Sequence, residues 1–174
     1  MEVRTAGPDG EVIDFCIRSE PEVIAVDSPL TEPRGAWREV DREMLRLGFR
    51  VLPPGMPGMR QLTRRGVRLA LRLRSAGLSV VEVHPSSSAR ALGVERSLSG
   101  AGEVLTRLFG LDPPERASRH EVDAILAALT GALHVLGLSR VVEAADGSVV
   151  IPAARLDELE RGRSPSRRRA SPQT

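Results

Sequence analysis

Hydrophobic positions divide the chain into short continuous apolar runs and longer stretches with helical spacing. Two of the continuous runs, EVIAVDSPL and LSVVEVHP, predict strands buried on both faces, and each ends at a proline that closely follows an acid. The acids are Asp27 and Glu82, so both are expected at the C-terminal ends of their strands. Open α/β sheets place their functional sites at that edge.

Helical spacing is clearest in HEVDAILAALTGAL, where apolar residues recur every three or four positions and small residues occupy the other side. This pattern predicts a helix lying close against a sheet, with Asp123 as the carboxylate inside it. Two more helices are predicted over 36–47 and 59–77, and two short ones over 87–94 and 99–110. In the first two, the residues expected to face inward are Trp37, Val40, Met44, Leu47, Leu62, Leu69 and Leu73.

Turn residues predict a hairpin near each end of the chain. GPDG separates EVRTA from EVIDFCI, and Asp-Gly interrupts VVEAADGSVVIP. A short amphipathic segment follows at 154–162. We expect one folded domain over residues 1–160 and a disordered Arg/Ser/Pro-rich tail over 161–174.

Length and composition favour a single soluble domain. The 174 residues slightly exceed a common domain size, and 41% of them are hydrophobic. No apolar run approaches the ~20 residues of a membrane span, and no signal-peptide core is present, so a cytoplasmic protein without membrane contact is expected. The single cysteine, Cys16, lies in an apolar run and is expected to be a reduced, buried thiol.

The basic composition is weak evidence for nucleic-acid binding. All 25 basic residues are Arg, and Lys, Asn and Tyr are absent, as expected of a G+C-rich genome. Residues 161–174 hold five Arg and no acid, which leaves 20 Arg against 23 acids in the rest of the chain. The high pI therefore belongs to the tail.

Three carboxylates in apolar surroundings, Asp27, Glu82 and Asp123, are the strongest chemical signal in the sequence. A buried carboxylate is costly unless it is paired, protonated or bound to a cation, and three of them indicate one shared site. Other kinds of site have no sequence support: there is no zinc spacing, Walker loop, GxGxxG turn or G-x-S-x-G elbow.

Five segments resemble, in order, the motifs of a family of predicted nucleases, a domain-of-unknown-function family with a ribonuclease H-like fold: IAVDSPL, LPPGMPGMRQLTRRG, VVEVHP, HEVDAILAALTGAL and DGSVVIP. The helix motif is also similar to the last catalytic helix of resolvase-type nucleases. The resemblance spans residues 11–152. It implies a mixed β-sheet flanked by helices and a nuclease that acts on DNA or RNA.

The resemblance further implies a two-metal phosphodiesterase site that uses Mg²⁺ or Mn²⁺. By this resemblance Asp27, Glu82 and Asp123 are the metal ligands, and His120, one helical turn before Asp123, completes the site or acts on the proton of the attacking water. Phosphate contacts are expected from Arg60, Arg64 and Arg65.

The chain departs from this family at its start. Proteins of the fold begin with a central strand that carries an Asp, whereas this sequence begins at what resembles the second strand. We expect either a coding start upstream of Met1 or a protein that has lost its first ligand. In the second case the domain is catalytically inactive and binds nucleic acid or protein.

Structural roles remain open for each residue of the predicted site. Asp27 before Ser28-Pro29 also fits an Asx-type turn, and Glu82 also fits a structural pair with His84. His120 also fits a first-turn helix residue, and the arginines of 60–68 also fit a solvated helix face. An enzyme acting on a phosphorylated small molecule is a third function that would use the same acids.

Overall fold

The computed structural model describes residue 3 and residues 5–163, which form a mixed α/β fold of short strands and seven α-helices. In chain order these are α1 (Asp9–Ser19), β1 (Ile24–Val26), α2 (Glu39–Arg46), α3 (Pro57–Ser75), β2 (Val80–Glu82), α4 (Pro85–Leu92), α5 (Leu98–Val104), α6 (Arg119–Val135), β3 (Ser139–Ala144), β4 (Gly147–Pro152) and α7 (Leu156–Arg163). A π-helical turn, Leu105–Phe109, continues α5.

The strands form two two-stranded sheets, β1 with β2 and β3 with β4, and β2 lies next to β4. β1 and β2 are parallel, with Val26 opposite Glu82, and β3 and β4 form the antiparallel hairpin that Asp146-Gly147 predicted. A parallel bridge between Val83 and Val150 connects the two pairs. Parallel direction and register bring the ends of β1 and β2 to the same edge, as expected from their sequences.

Helices cover both faces of these strands. On one face α6 packs on β1, β3 and β4, with α4 and α5 beside it. Its close approach depends on a small residue, because a Cβ at Gly131 would meet the Ala25 Cβ at 3.1 Å. On the other face α1 and α3 pack together over β1 and β2, while α2 contacts β3 and β4.

The predicted N-terminal hairpin is wrong, because residues 9–19 form α1. Pro8 stands at the position preceding the helix, Asp9 and Glu11 lie in its first turn and Arg18 in its last, which suits the helix dipole. Ile13 and Cys16 pack against the α3 side of the core. GPDG therefore starts a helix, and the apolar residues after it, whose spacing fits a helix as well as a strand, are helical.

Most of the remaining elements agree with the sequence, with differences at their ends and inner faces. Val40, Met44 and Leu73 are buried as predicted, but Leu47 and Leu62 are exposed. α7 runs to Arg163, past the predicted domain end at 160, and the rest of the predicted tail, 164–174, lies outside the described residues. No helix of the described part has both the length and the apolar character needed to cross a bilayer.

Candidate functional site

Asp27 and Asp123 lie on the same face of the sheet and line one groove. Alternation along β1 sends Ile24 and Val26 towards α1 and α3, and Ala25 and Asp27 towards α6. Asp123 is in the second turn of α6, which crosses this face. Two of the three predicted carboxylates are therefore neighbours at the C-terminal end of β1.

The pKa of Asp27 is raised from 3.8 to about 6. Desolvation by the surrounding protein is the main cause, and the negative charge of Asp123 adds to it, while Arg96 opposes both. Solvent still reaches the carboxylate through the groove, and no hydrogen bond from the described residues reaches it. Asp27 is thus a carboxylate with a raised pKa and accessible oxygens.

The carboxylate of Asp123 is already paired with an arginine side chain. Arg96, in the loop between α4 and α5, donates from Nε to Oδ1 at 2.6 Å and from Nη2 to Oδ2 at 2.5 Å. This contact is bidentate, and the planar geometry of a guanidinium suits it. Asp123 is 8% exposed, so Arg96 supplies the charge balance that burial of this carboxylate requires.

Glu82 faces the opposite side of the sheet and is held in a buried ion network. Arg38, only 1% exposed, donates to both of its oxygens, at 2.6 and 2.8 Å, and the Leu30 N–H donates to Oε2 at 2.8 Å. The same guanidinium bonds both oxygens of Asp41. Burial raises the pKa of Glu82, and the bonds from Arg38 and Leu30 oppose that rise. Glu82 therefore fastens the loop after β1 to the start of α2.

A small cavity of about 190 Å³ lies behind Asp27 and is shared with Glu82 and His84. His84 has its Nδ1 2.7 Å from the Ser87 hydroxyl, and burial lowers its pKa. Its partner is therefore a serine of α4, whereas the predicted Glu82–His84 pair is replaced by the Arg38 network. Asp27 is the residue that faces both this cavity and the groove.

The groove has a volume of about 760 Å³ and a mostly apolar lining. His120 lies at its rim in the first turn of α6, on the same helix face as Asp123 and Ala124. Its ring is exposed, and the described residues leave it without a hydrogen bond. His120 is therefore placed beside the two acids and accessible to a bound molecule.

The predicted phosphate-binding arginines are split between two places on α3. Arg60 and Arg64 line a polar pocket of about 220 Å³ together with Arg34. Arg60 donates to the Gly55 carbonyl at 2.8 Å, which fixes its stem in that pocket. Arg65 turns away and pairs with Asp9 of α1 at 2.7 Å. The basic pocket therefore comprises Arg34, Arg60 and Arg64.

The described residues do not assemble a complete metal site. Within residues 5–163 no group of three or more His, Cys, Asp or Glu side chains is placed to hold a metal ion. Oxygen ligands suit Mg²⁺ and Mn²⁺, and Asp27 with Asp123 supplies two carboxylates at one place. Asp27 has both oxygens available, whereas those of Asp123 face Arg96. Arg96 thus occupies both of the Asp123 oxygens that a divalent cation shared with Asp27 would need.

Sequence reasoning missed Arg96 and the Arg38–Asp41 pair. Arg38 and Asp41 are three residues apart, and Asp41 is one turn before the buried Met44, so their helical spacing held a usable signal. Arg96 is 27 residues from Asp123 in a loop without periodicity, and nothing in the sequence connects the two. Arg34 similarly joins Arg60 and Arg64 only through the fold.

Comparisons with protein-family models, with curated proteins and with solved structures found no match to this chain.

Proposed function

We propose that this protein is a divalent-metal-dependent nuclease whose site lies where β1 ends beside α6. The observation that carries the proposal is the pairing of Asp27 with Asp123 in one solvent-accessible groove, where desolvation and, to a smaller extent, the charge of Asp123 raise the pKa of Asp27. Like charges are not placed together for stability, and perturbed carboxylates in a cleft are typical of catalytic or metal sites.

In this proposal Asp27 and Asp123 hold the cation, and His120, at the groove rim, accepts or donates a proton. The metal, when bound, stabilises negative charge on a phosphodiester and activates water. Arg96 would have to leave Asp123 for that carboxylate to hold a cation, and its guanidinium would then be free to pair with a phosphate. Glu82 acts indirectly, by fixing the loop that follows Asp27.

We also propose that the strands form a ribonuclease H-like sheet. Three features support this: β1, β2 and β4 run parallel, β3 is antiparallel to β4, and α6 crosses one face with its acid at the strand ends. The pocket of Arg34, Arg60 and Arg64 lies on α3 near the end of β1, because the Leu62 carbonyl accepts from the Ser28 hydroxyl at 3.1 Å. A nucleic-acid backbone is proposed to run from this pocket to Asp27.

The test compares wild type with Asp27→Asn and Asp123→Asn on labelled single-stranded and duplex DNA and RNA, with Mg²⁺ or Mn²⁺. Wild type is expected to cleave at least one substrate, and each variant to lose at least about 100-fold in rate. Asp157→Asn, which changes an exposed acid paired with Arg107, is the matched control and should cleave normally.

Cation binding is measured separately by the thermal shift of wild type on adding Mn²⁺. The expected rise in melting temperature should disappear in Asp27→Asn. Cleavage that persists in both Asn variants would remove these acids from the mechanism, and absence of both cleavage and thermal shift would reject the nuclease.

A catalytically inactive domain that binds nucleic acid is the second candidate, favoured because arginines already neutralise Asp123 and Glu82. It predicts metal-independent binding that weakens steeply with salt. Removing residues 164–174, which contain three consecutive Arg, should abolish that binding but leave nuclease cleavage in place.

A further inference from the structure

The loop of residues 32–37, with the sequence EPRGAW, is tied at its base by a buried arginine. Arg38, directly after the loop, donates from Nη1 to the Thr31 hydroxyl at 3.1 Å, so the residues on either side of the loop are joined. Arg38 is itself held by the carboxylates of Asp41 and Glu82. Short loops whose ends are fixed close together often carry functional residues on a rigid base.

The turn at 53–56 locks this loop against α3. The Gly55 N–H donates to the Ala36 carbonyl at 3.0 Å, and the Gly55 carbonyl accepts from Arg60 at 2.8 Å. The approach requires a glycine, because a Cβ at Gly55 would lie 2.7 Å from the Ala36 Cα. Loop 32–37 and the start of α3 are therefore already fixed to each other, which lowers the cost of ordering them around a ligand.

The basic pocket of about 220 Å³ lies between these segments and contains Arg34, Arg60 and Arg64. Glu32 is the acid in its lining, so three cations face one carboxylate there. Arg34 and Arg64 are exposed and make no hydrogen bond or ion pair with any other described residue. Unpaired guanidinium groups that converge on one pocket favour an anion, and phosphate oxygens suit their geometry.

A wider pocket of about 560 Å³ adjoins the basic one and shares Arg34 and Gly35 with it. Trp37 lines this second pocket and is only half-buried. Its charged lining comprises three acids and two arginines, which are Glu32, Glu39, Asp146, Arg34 and Arg42. An aromatic side chain beside carboxylate acceptors suits a nucleobase, with its π face and N–H groups, better than it suits a phosphate.

We propose that the two pockets together bind one unpaired nucleotide of a single-stranded nucleic acid. Its phosphate lies among Arg34, Arg60 and Arg64, and its base stacks on Trp37. A base inside a duplex is stacked between its neighbours, so it reaches an aromatic side chain only after it is unpaired and unstacked. The site therefore selects single strands over duplexes.

This nucleotide site is separate from the groove of the proposed nuclease centre. Neither pocket is lined by Asp27, Asp123 or His120. Because it assigns the substrate class of the proposed nuclease, the site rests on that proposed function. Binding here needs no divalent cation, however, so it can be measured in EDTA, where metal-dependent cleavage does not occur.

Trp37 makes the test direct, because it is the only tryptophan of the chain and tyrosine is absent. Its fluorescence is followed while single-stranded oligoadenylate, as DNA or RNA, is added to the full chain in EDTA. We expect saturable quenching, with at least about tenfold weaker binding of a duplex of the same length. Adenosine monophosphate should also bind at least about tenfold more weakly, because it lacks the neighbouring phosphates of a strand.

Variants distinguish stacking and phosphate contacts from a general charge effect. Trp37→Ala should weaken binding of a labelled strand about tenfold, measured by anisotropy, and Trp37→Phe, which keeps an aromatic face, should retain most of the affinity. Arg64→Gln should weaken binding and reduce its salt dependence. Arg68→Gln is the matched control, on the same helix but outside both pockets, and should do neither.

Four results would overturn this site. They are no quenching up to about 1 mM nucleotide, equal affinity for single strand and duplex, equal losses in Arg64→Gln and Arg68→Gln, and binding of adenosine monophosphate as tight as that of the strand. The third would indicate diffuse charge attraction, and the fourth a free nucleotide as the ligand. Metal-dependent cleavage without quenching would reject this site alone, whereas quenching without cleavage in any metal would support it and reject the nuclease.

Discussion

Asp27 and Asp123 bring two negative charges to one groove, and only Asp123 has a cation hydrogen-bonded to it. Desolvation, together with the charge of Asp123, raises the pKa of the unpaired Asp27 to about 6. Because the folded protein holds this proton more tightly than the unfolded chain, ionisation of Asp27 lowers folding stability as pH rises through 6. Below about pH 4 the group is protonated in both states and has no effect.

Asp27→Asn is therefore expected to stabilise the protein at neutral and alkaline pH. Since solvent reaches the carboxylate, the gain should be modest, about 2–4 °C in melting temperature at pH 8, and should vanish near pH 4. Thermal unfolding of both proteins across this pH range measures it. A variant whose gain is the same at pH 4 and pH 8 would show that the charge of Asp27 is not the cause.

Arg38 is a residue on which two buried acids depend. Arg38→Leu leaves Glu82 and Asp41 buried without a counter-charge and should cost about 3–5 kcal/mol, measured by urea unfolding. Arg46→Leu is the control, because Arg46 is 68% exposed and its pair with Glu43 should contribute less than about 1 kcal/mol. Similar losses in the two variants would contradict the network's role.

At the scale of elements, α3 is positioned against the chain just after Asp27 by a single glycine. A Cβ on Gly66 would lie 2.3 Å from the Ser28 hydroxyl oxygen and 2.9 Å from the Pro29 carbonyl oxygen. Any larger residue there must push α3 away from the end of β1. Packing of this helix is thus coupled to the position of the candidate site.

Gly66→Ala should destabilise the protein by about 1–3 kcal/mol because backbone must move to make room. Gly58→Ala, in the same helix with no atom within 4 Å of the added Cβ, should be neutral or stabilising by up to about 1 kcal/mol. Urea unfolding of the pair checks this. A small loss of unfolding free energy in Gly66→Ala would mean that the loop after β1 moves easily to make room for the added methyl group.

The β3–β4 hairpin supplies the cap of α2. Asp146, in its turn, accepts from the backbone N–H groups of Glu39 at 2.6 Å and Val40 at 3.1 Å. Burial acts to raise the pKa of Asp146, but these hydrogen bonds outweigh it and hold the pKa below its ordinary value. The cap therefore stabilises the fold above about pH 4 and is lost as pH falls through the lowered pKa.

Asp146→Ala should cost about 1–2 kcal/mol at pH 7, with a smaller difference from wild type at pH 3. Chemical unfolding at the two pH values gives the comparison. Asp112→Ala, in an exposed loop, should change stability little at either pH. An Asp146→Ala loss that does not shrink in acid would argue against a charged cap.

For the molecule as a whole, the two sides of β1 should differ in hydrogen exchange. Amides bonded between β1 and β2, such as those of Ile24 and Val83, should exchange slowly, and the Ala25 amide, which has no strand partner among the described residues, quickly. Native-state exchange followed by NMR distinguishes these sites. A slowly exchanging Ala25 in dilute protein would mean that the edge of β1 away from β2 is already covered.

Local sequence was sufficient wherever one strong pattern decided the structure. β1, β2, α6 and the β3–β4 hairpin were predicted because apolar runs, helical spacing and an Asp-Gly turn each allow few alternatives. α1 was mispredicted because β-rich residues over 11–17 satisfy both strand and helix spacing, and packing against α3 chose the helix. The disorder predicted for residues 164–174 stays a prediction, because these residues lie outside the described part of the chain.

The sequence by itself determined that the chain forms an α/β fold and that Asp27 and Asp123 stand at the ends of core elements. Only the tertiary structure decided which charges meet. Strand alternation sends Asp27 to the face of α6 and Glu82 to the face of α2, and loops distant in sequence bring Arg96 to one acid and Arg38 to the other. Charge pairing acts through space over a few ångströms, whereas sequence patterns report only neighbours along the chain.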